Sequence, residues 1–118
     1  MKRNHRSLKA WQQAIDLVEH VYAETAKFPR DELFALTSQM RRAAVSVPAN
    51  IAEGAARSGT KELVRFLSIA SASLSELDTH VEIARRLGYL KGNILVEEID
   101  TVSALLMGLS ASVRKKMV

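Results

Sequence analysis

Two kinds of side chain in this sequence, histidine near carboxylates and serine, could support metal binding or catalysis. Helical bundles hold di-iron centres with inward carboxylates and Glu-x-x-His pairs, but no acidic residue here precedes a histidine by three positions. Glu76 and His80 are spaced i, i+4 and so share one side of a helix. One such pair is a poor metal site, so we interpret it as a surface pair. We also expect His20, beside Glu19, on a solvent face and His5 in a basic N-terminal segment.

Nucleophilic catalysis has little support in the sequence. The chain has no cysteine, which excludes thiol nucleophiles, thiolate metal ligands and disulfides. Serines cluster between positions 68 and 75 without a histidine and carboxylate arrangement nearby in sequence, and no Gly-rich phosphate loop is present. We therefore expect no catalytic residue, no metal ligand and no cofactor. A metal-dependent bundle enzyme is the least favoured of three functional interpretations.

The excess positive charge lies at the two ends of the chain. Residues 1–9 carry four basic side chains and no acid, and residues 114–116 carry three more. Without these seven of the 17 Lys and Arg, 10 basic residues remain against 13 acidic ones, although the whole chain is +4. Such a distribution favours contact with phosphate backbones. The alternative is that the termini are solvated tails whose basic residues complement a helix dipole.

The elements that must position these residues are four amphipathic helices. The chain has only 5 Gly and 2 Pro among 118 residues, as expected of a few long elements. Residues 1–7 form a basic N-terminal arm, and apolar periodicity predicts four helices at 8–28, 33–57, 61–87 and 94–116. We predict an all-α fold, an antiparallel up-down-up-down four-helix bundle that forms one domain, 1–118.

One apolar stripe on each predicted helix should face the core. In chain order these stripes are Leu8, Trp11, Ile15, Val18 and Tyr22; Leu36, Met40, Ala44, Val47, Ile51 and Ala55; Leu63, Leu67, Ala70, Leu74, Leu77, Val81 and Ala84; and Leu95, Ile99, Val102, Leu106, Leu109 and Val113. We therefore expect Trp11 to be largely buried. A second apolar stripe usually marks an interface, and its members here are Leu17, Val21, Val64, Ile69, Ile83, Ile94 and Leu105. The second stripe predicts a homo-oligomer.

The second predicted helix contains Pro48 within a run of small residues. Proline removes one backbone hydrogen bond, so we expect a kink at Pro48. The alternative is two shorter helices that are broken there. Asn50 and Glu53 follow the proline, and we expect them to satisfy backbone or interhelical polar groups near the kink. The alternative for this pair is a ligand or partner site.

The predicted topology collects basic residues at one end of the bundle. The start of helix 1, the connection between helices 2 and 3, and the end of helix 4 all lie at that end. We call it the basic pole, and its residues are Lys2, Arg3, Arg6, Lys9, Arg57, Lys61, Arg65, Arg114, Lys115 and Lys116. Glu53 and Glu62 are the nearby acids. No aromatic platform interleaves the basic residues, so we expect backbone contacts without base stacking or sequence readout.

The region around Pro48 carries a family resemblance. Residues 36–54, LTSQMRRAAVSVPANIAEG, resemble the signature of the bacterial 23S rRNA intervening-sequence protein family. Further matches are LKAWQ at 8–12, E-x-x-R-F-L at 62–67 and LGYL at 87–90, so the resemblance covers nearly the whole chain. Val47 and Ala49 depart from the common Ile and Ser, which alters little.

The resemblance implies a four-helix bundle that assembles into a ring-shaped homopentamer. It also implies kinship to the accessory variability protein of diversity-generating retroelements, which works with a reverse transcriptase and nucleic acid. It defines the fold better than the function.

These observations together favour a non-enzymatic, oligomeric helical bundle that binds RNA or DNA through backbone charge. The alternative is a protein-interaction scaffold whose basic pole docks an acidic partner. No apolar run reaches the ~18 residues of a membrane span, and no signal peptide follows the basic start. We therefore expect a cytoplasmic protein with no membrane partner.

Overall fold

The computed structural model describes residues 1–117, which form four long helices and no strand. The helices are α1 (Lys9–Thr25), α2 (Leu36–Ala56), α3 (Thr60–Arg86) and α4 (Ile94–Lys115). Two short 3-10 helices, Asn4–Ser7 and Arg30–Glu32, precede α1 and α2. The prediction of an all-α four-helix bundle is confirmed.

Each helix packs against its two neighbours in the bundle. Helix α1 contacts α2 and α4, and α3 contacts the same two helices, whereas the diagonal pairs do not meet within residues 1–117. Short connections between consecutive helices make neighbours antiparallel. The result is a four-cornered bundle in which the α1–α2 face and the α3–α4 face lie on opposite sides.

The core stripes predicted for α2, α3 and α4 are correct. Met40, Ile51, Leu67, Leu77 and Leu106 are among the fully buried side chains. Exceptions are small residues or stripe ends, such as Ala55, Leu63 and Leu109, which are half-buried. The helix period of these three segments therefore identified the buried faces.

The face predicted for α1 is wrong. Its buried residues are Ala10, Ala14, Leu17, Val21 and Thr25, whereas Trp11 is half-buried and Tyr22 is 43% exposed. Two of these five buried residues are alanines, so the larger side chains on the neighbouring stripe dominated the periodicity. Small residues let α1 approach its neighbours closely, which puts Leu17 and Val21 in the core rather than in a second stripe.

Helix α2 continues through Pro48 from Leu36 to Ala56. The alternative of two separate helices is therefore not what the chain adopts. Gly54, one turn and a half further on, explains how α3 comes close: a Cβ placed there would lie 2.8 Å from Phe66 Cβ. Only glycine fits at this crossing of α2 and α3.

Some helix ends differ from the predicted ones by up to three residues. Helix α1 ends at Thr25 rather than 28, and α2 begins at Leu36 rather than 33. Phe28 explains this difference, because its backbone N–H turns back to the Thr25 carbonyl (3.1 Å) and its side chain is buried. The remaining helix ends lie within one residue of the prediction.

The end of the bundle opposite the basic pole is held by contacts between two connections. Phe28 packs against Tyr89 with ring centroids 5.3 Å apart. Tyr89 Oη donates a hydrogen bond to Glu32 Oε2 at 3.0 Å, which raises the pKa of the tyrosine above its ordinary value. The α1–α2 and α3–α4 connections are thereby joined.

Candidate nucleic-acid interface

The fold brings all the basic-pole residues toward one end of the molecule. The start of α1, the end of α2, the start of α3 and the end of α4 meet there because neighbouring helices are antiparallel. All ten predicted side chains are exposed: Lys2, Arg3, Arg6, Lys9, Arg57, Lys61, Arg65, Arg114, Lys115 and Lys116. A broad electropositive surface follows from the helix directions and this exposure.

The N-terminal segment is folded rather than a free basic arm. Asn4–Ser7 form a 3-10 helix that packs against α1 and α2. Ser7 Oγ donates a hydrogen bond to the Asn4 carbonyl (3.0 Å), and Gln12 Nε2 donates one to the Arg6 carbonyl (2.7 Å). These bonds hold the basic side chains of residues 2–6 beside the ends of the helices.

Few of the basic-pole charges have an acidic neighbour. Arg57 Nε lies 3.2 Å from Glu53 Oε2, and Arg65 Nη1 lies 3.3 Å from Glu62 Oε2. Within residues 1–117 the other eight basic side chains form no ion pair. Exposed pairs of this kind contribute little to stability, so even the two paired arginines can exchange their partners for phosphate at small cost.

Two aromatic rings lie among the basic residues, and both contact side chains of the protein itself. Phe66 is buried, and the guanidinium carbons of Arg57 and Arg65 lie 5.1 and 5.2 Å from its ring centroid. These cation–π contacts fix the two arginines over the α2–α3 crossing. The spacing 57, 65, 66 spans two helices and a turn, so sequence periodicity gave no indication of the cluster.

The second ring belongs to Trp11, which is half-buried at the start of α1. His5 packs edge-on against it at 5.1 Å, and Arg6 lies 5.5 Å from its centroid. Trp11 thus anchors the N-terminal 3-10 helix to α1. This anchoring role explains why a large aromatic residue occupies a position outside the core face.

Asn50, unlike Glu53, meets the expectation that the polar residues after Pro48 satisfy backbone or interhelical polar groups. Asn50 Nδ2 donates hydrogen bonds to the Ser46 carbonyl (2.8 Å) and to Ser46 Oγ (2.9 Å). Ser46 Oγ in turn lies 2.8 Å from Ser73 Oγ of α3. This polar ladder has members on both sides of Pro48 and joins α2 to α3, whereas Glu53 forms an exposed ion pair with Arg57.

His20 and His80 differ in burial, although the sequence indicated that both lie on the surface. His80 is buried, so its interpretation as a surface residue is wrong; its Nε2 lies 3.8 Å from Glu76 Oε2. His20 is exposed, and its Nδ1 lies 2.5 Å from Glu98 Oε2 of α4. Hydrogen bonding to Glu98 raises the pKa of His20 above 6.5. No three metal-ligating side chains converge in the part of the chain that the structure describes.

The order of the helices and the exposed basic residues place this protein in the class of small four-helix bundles with a basic end. Within that class the family is shown by sequence: the family model of the 23S rRNA-intervening sequence protein matches residues 6–108, and the chain belongs to this family. No curated protein matches the chain. None of the helices within residues 1–117 is long and apolar enough to cross a membrane.

Proposed function

We propose that the protein is a non-enzymatic homo-oligomer that binds RNA or DNA at the basic pole through phosphate contacts. The observation that carries the proposal is the exposure of ten basic side chains at one end of the bundle, of which two have an acidic partner among residues 1–117. The name of the family refers to an intervening sequence of 23S rRNA, so RNA is the first ligand to test.

The proposed mode of binding is electrostatic. Phosphates bound by Lys and Arg release counterions, so the logarithm of the affinity falls linearly with the logarithm of the salt concentration. The slope is about −0.9 per phosphate contact on duplex DNA and about −0.7 on single strands. The rings of Trp11 and Phe66 already contact the protein's own side chains, which supports binding with little dependence on base sequence.

The experiment compares two sets of three charges. Replacing Arg114, Lys115 and Lys116 by Gln should weaken binding to a random RNA of about 20 nucleotides and flatten the salt slope, because up to three phosphate contacts are lost. The matched control replaces Arg85, Arg86 and Lys91, which lie at the opposite end. That control should leave the slope close to that of the wild type.

A second set tests whether the N-terminal residues belong to the same surface. Replacing Lys2, Arg3, Arg6 and Lys9 by Gln should lower the affinity and the slope in the same direction as the C-terminal set. Equal losses from the control set would overturn the basic pole as the site. Absence of binding by the wild type at low salt would overturn the nucleic-acid proposal and favour docking of an acidic protein partner.

The proposed assembly is a homopentamer, on the family resemblance alone. Five copies would place five basic poles in one particle and multiply the number of phosphate contacts. A reverse transcriptase is the first candidate for a protein partner, on the same resemblance. Light scattering at micromolar concentration tests the assembly, and a mass of 13.1 kDa, that of one chain, would contradict it.

A further inference from the structure

An apolar groove lies open between α1 and α2 on the half of the bundle away from the basic pole. We call it the α1–α2 groove; its residues are Tyr22, Leu33, Phe34, Ser38, Arg41, Arg42, Val45 and Ser46. Phe34 is 93% exposed, and Leu33, Tyr22 and Val45 are also exposed. Contiguous exposed apolar side chains of this kind mark interaction surfaces.

The chain itself covers part of the same helix pair nearer the basic pole. The N-terminal 3-10 helix, Asn4–Ser7, contacts both α1 and α2 there. The same pair of helices therefore already accepts a packed chain segment at one end. The half that contains Phe34 and Val45 has no such cover within residues 1–117.

Two arginines define the chemistry of whatever occupies the α1–α2 groove. Arg41 is held in place, because its Nε donates to Thr25 Oγ1 at 2.9 Å and its guanidinium lies 4.6 Å from the centre of the Tyr22 ring. Arg42 is exposed, and neither arginine forms an ion pair within the described residues. A matching surface must therefore present carboxylates beside apolar groups.

The opposite side of the same molecule presents that combination. The α3–α4 groove is lined by Ser71, Leu74, Ser75, Asp78, Thr79, Ile99, Asp100, Ser103 and Met107. Asp78 and Asp100 are exposed and form no ion pair within residues 1–117, and Met107 is 69% exposed. No basic side chain lines this groove, so its charge is opposite to that of the α1–α2 groove.

The two grooves also lie at matching distances from the basic pole. Arg41 precedes the end of α2 by 15 residues, and Asp100 precedes the end of α4 by 15 residues. At about 1.5 Å per residue, both lie about 22 Å from the pole. Nearer the pole, Val45 and Met107 lie about 16 and 12 Å from it by the same measure. The charged groups therefore lie at the same height along both grooves, with an exposed apolar residue nearer the pole in each; Leu33 and Phe34 extend the α1–α2 groove beyond the start of α2.

We infer that the α1–α2 groove binds the α3–α4 groove of a second copy of this chain. The contact is heterologous, since two different surfaces meet and each copy keeps its other groove free for the next copy. Equal distances from the pole keep the bundle axes side by side, so every basic pole points the same way. The inference rests on the proposed homo-oligomer and names the surfaces that build it.

The test uses one variant for each groove. Phe34→Asp places a carboxylate in the α1–α2 groove, and Asp100→Arg reverses the charge of the α3–α4 groove; both positions are exposed, and circular dichroism verifies folding. By light scattering, each variant alone should fall to the mass of one chain, 13.1 kDa. An equimolar mixture should form a dimer with one copy of each variant, because one intact groove of each kind remains.

A matched control and two separate negative outcomes complete the test. Leu87→Asp also adds a carboxylate at an exposed apolar residue, but outside both grooves, and it should keep the wild-type mass. A wild-type monomer would remove the oligomer proposal together with this inference. An oligomeric wild type whose mass survives Phe34→Asp or Asp100→Arg, or variants that fail to pair when mixed, would overturn this inference alone.

Discussion

Gly54 gives the sharpest test of the packing that builds the basic pole. In Gly54→Ala the new Cβ would lie 2.8 Å from Phe66 Cβ and 3.1 Å from Leu63 Cδ1. Phe66 Cβ is bonded directly to the backbone of α3 and cannot rotate away, so the two helices must separate by a few tenths of an ångström. Overpacking of this kind costs about 1–3 kcal/mol.

Helix propensity acts in the opposite direction in this variant. Alanine is favoured over glycine inside a helix by about 1 kcal/mol, so Gly54→Ala should show a net loss of about 0–2 kcal/mol. Gly108 supplies the matched control, because it also lies inside a helix but a Cβ added there would have no neighbour within 4 Å. Gly108→Ala should therefore stabilise the protein by about 0.5–1 kcal/mol.

The measurement is urea unfolding of the two variants beside the wild type, followed by circular dichroism at a fixed protein concentration. The difference between the variants isolates the steric cost, about 1–3 kcal/mol in favour of Gly108→Ala. If both substitutions stabilised the protein equally, the close approach of α2 and α3 at Gly54 would be refuted.

Two further predictions test the face of α1 and its contact with α4. Leu17→Ala should cost about 2–5 kcal/mol because the side chain is fully buried, and Ile15→Ala, on the half-buried stripe, should cost at least ~1 kcal/mol less; equal losses in urea unfolding would restore the face expected from sequence. Glu98→Gln should lower the pKa of His20, measured by NMR titration, because the raised value comes from the hydrogen bond between the two side chains. The folded-state pKa of His20 is raised above the ordinary value of 6.5. The His20–Glu98 pair therefore stabilises the fold below pH 6.5, and this contribution is lost as the pH rises through the folded-state pKa. An unchanged titration of His20 in Glu98→Gln would contradict the pairing.

The order of the helices predicts some features of the basic pole but not others. Antiparallel packing of consecutive helices places the chain ends and the α2–α3 turn at one end of the bundle, so the grouping of the basic residues could be predicted without coordinates. The contacts of Arg57 and Arg65 with Phe66 could not, because they depend on how closely α2 and α3 cross at Gly54.

The sequence by itself determined the helix content and the buried faces of α2, α3 and α4, because each has a single apolar stripe of large side chains with the helical period. Helix α1 has two apolar stripes, one rich in alanine and one with Trp11 and Tyr22. Which of them is buried depends on the distance to α2 and α4, a property of the assembled bundle. The interpretation of His80 as a surface residue was wrong for the same reason. A polar residue at the edge of an apolar stripe becomes buried only when the neighbouring helix packs close to it. Tertiary packing also decided that the N-terminal segment folds against α1 and α2, because the contacts that hold it come from residues outside its own sequence.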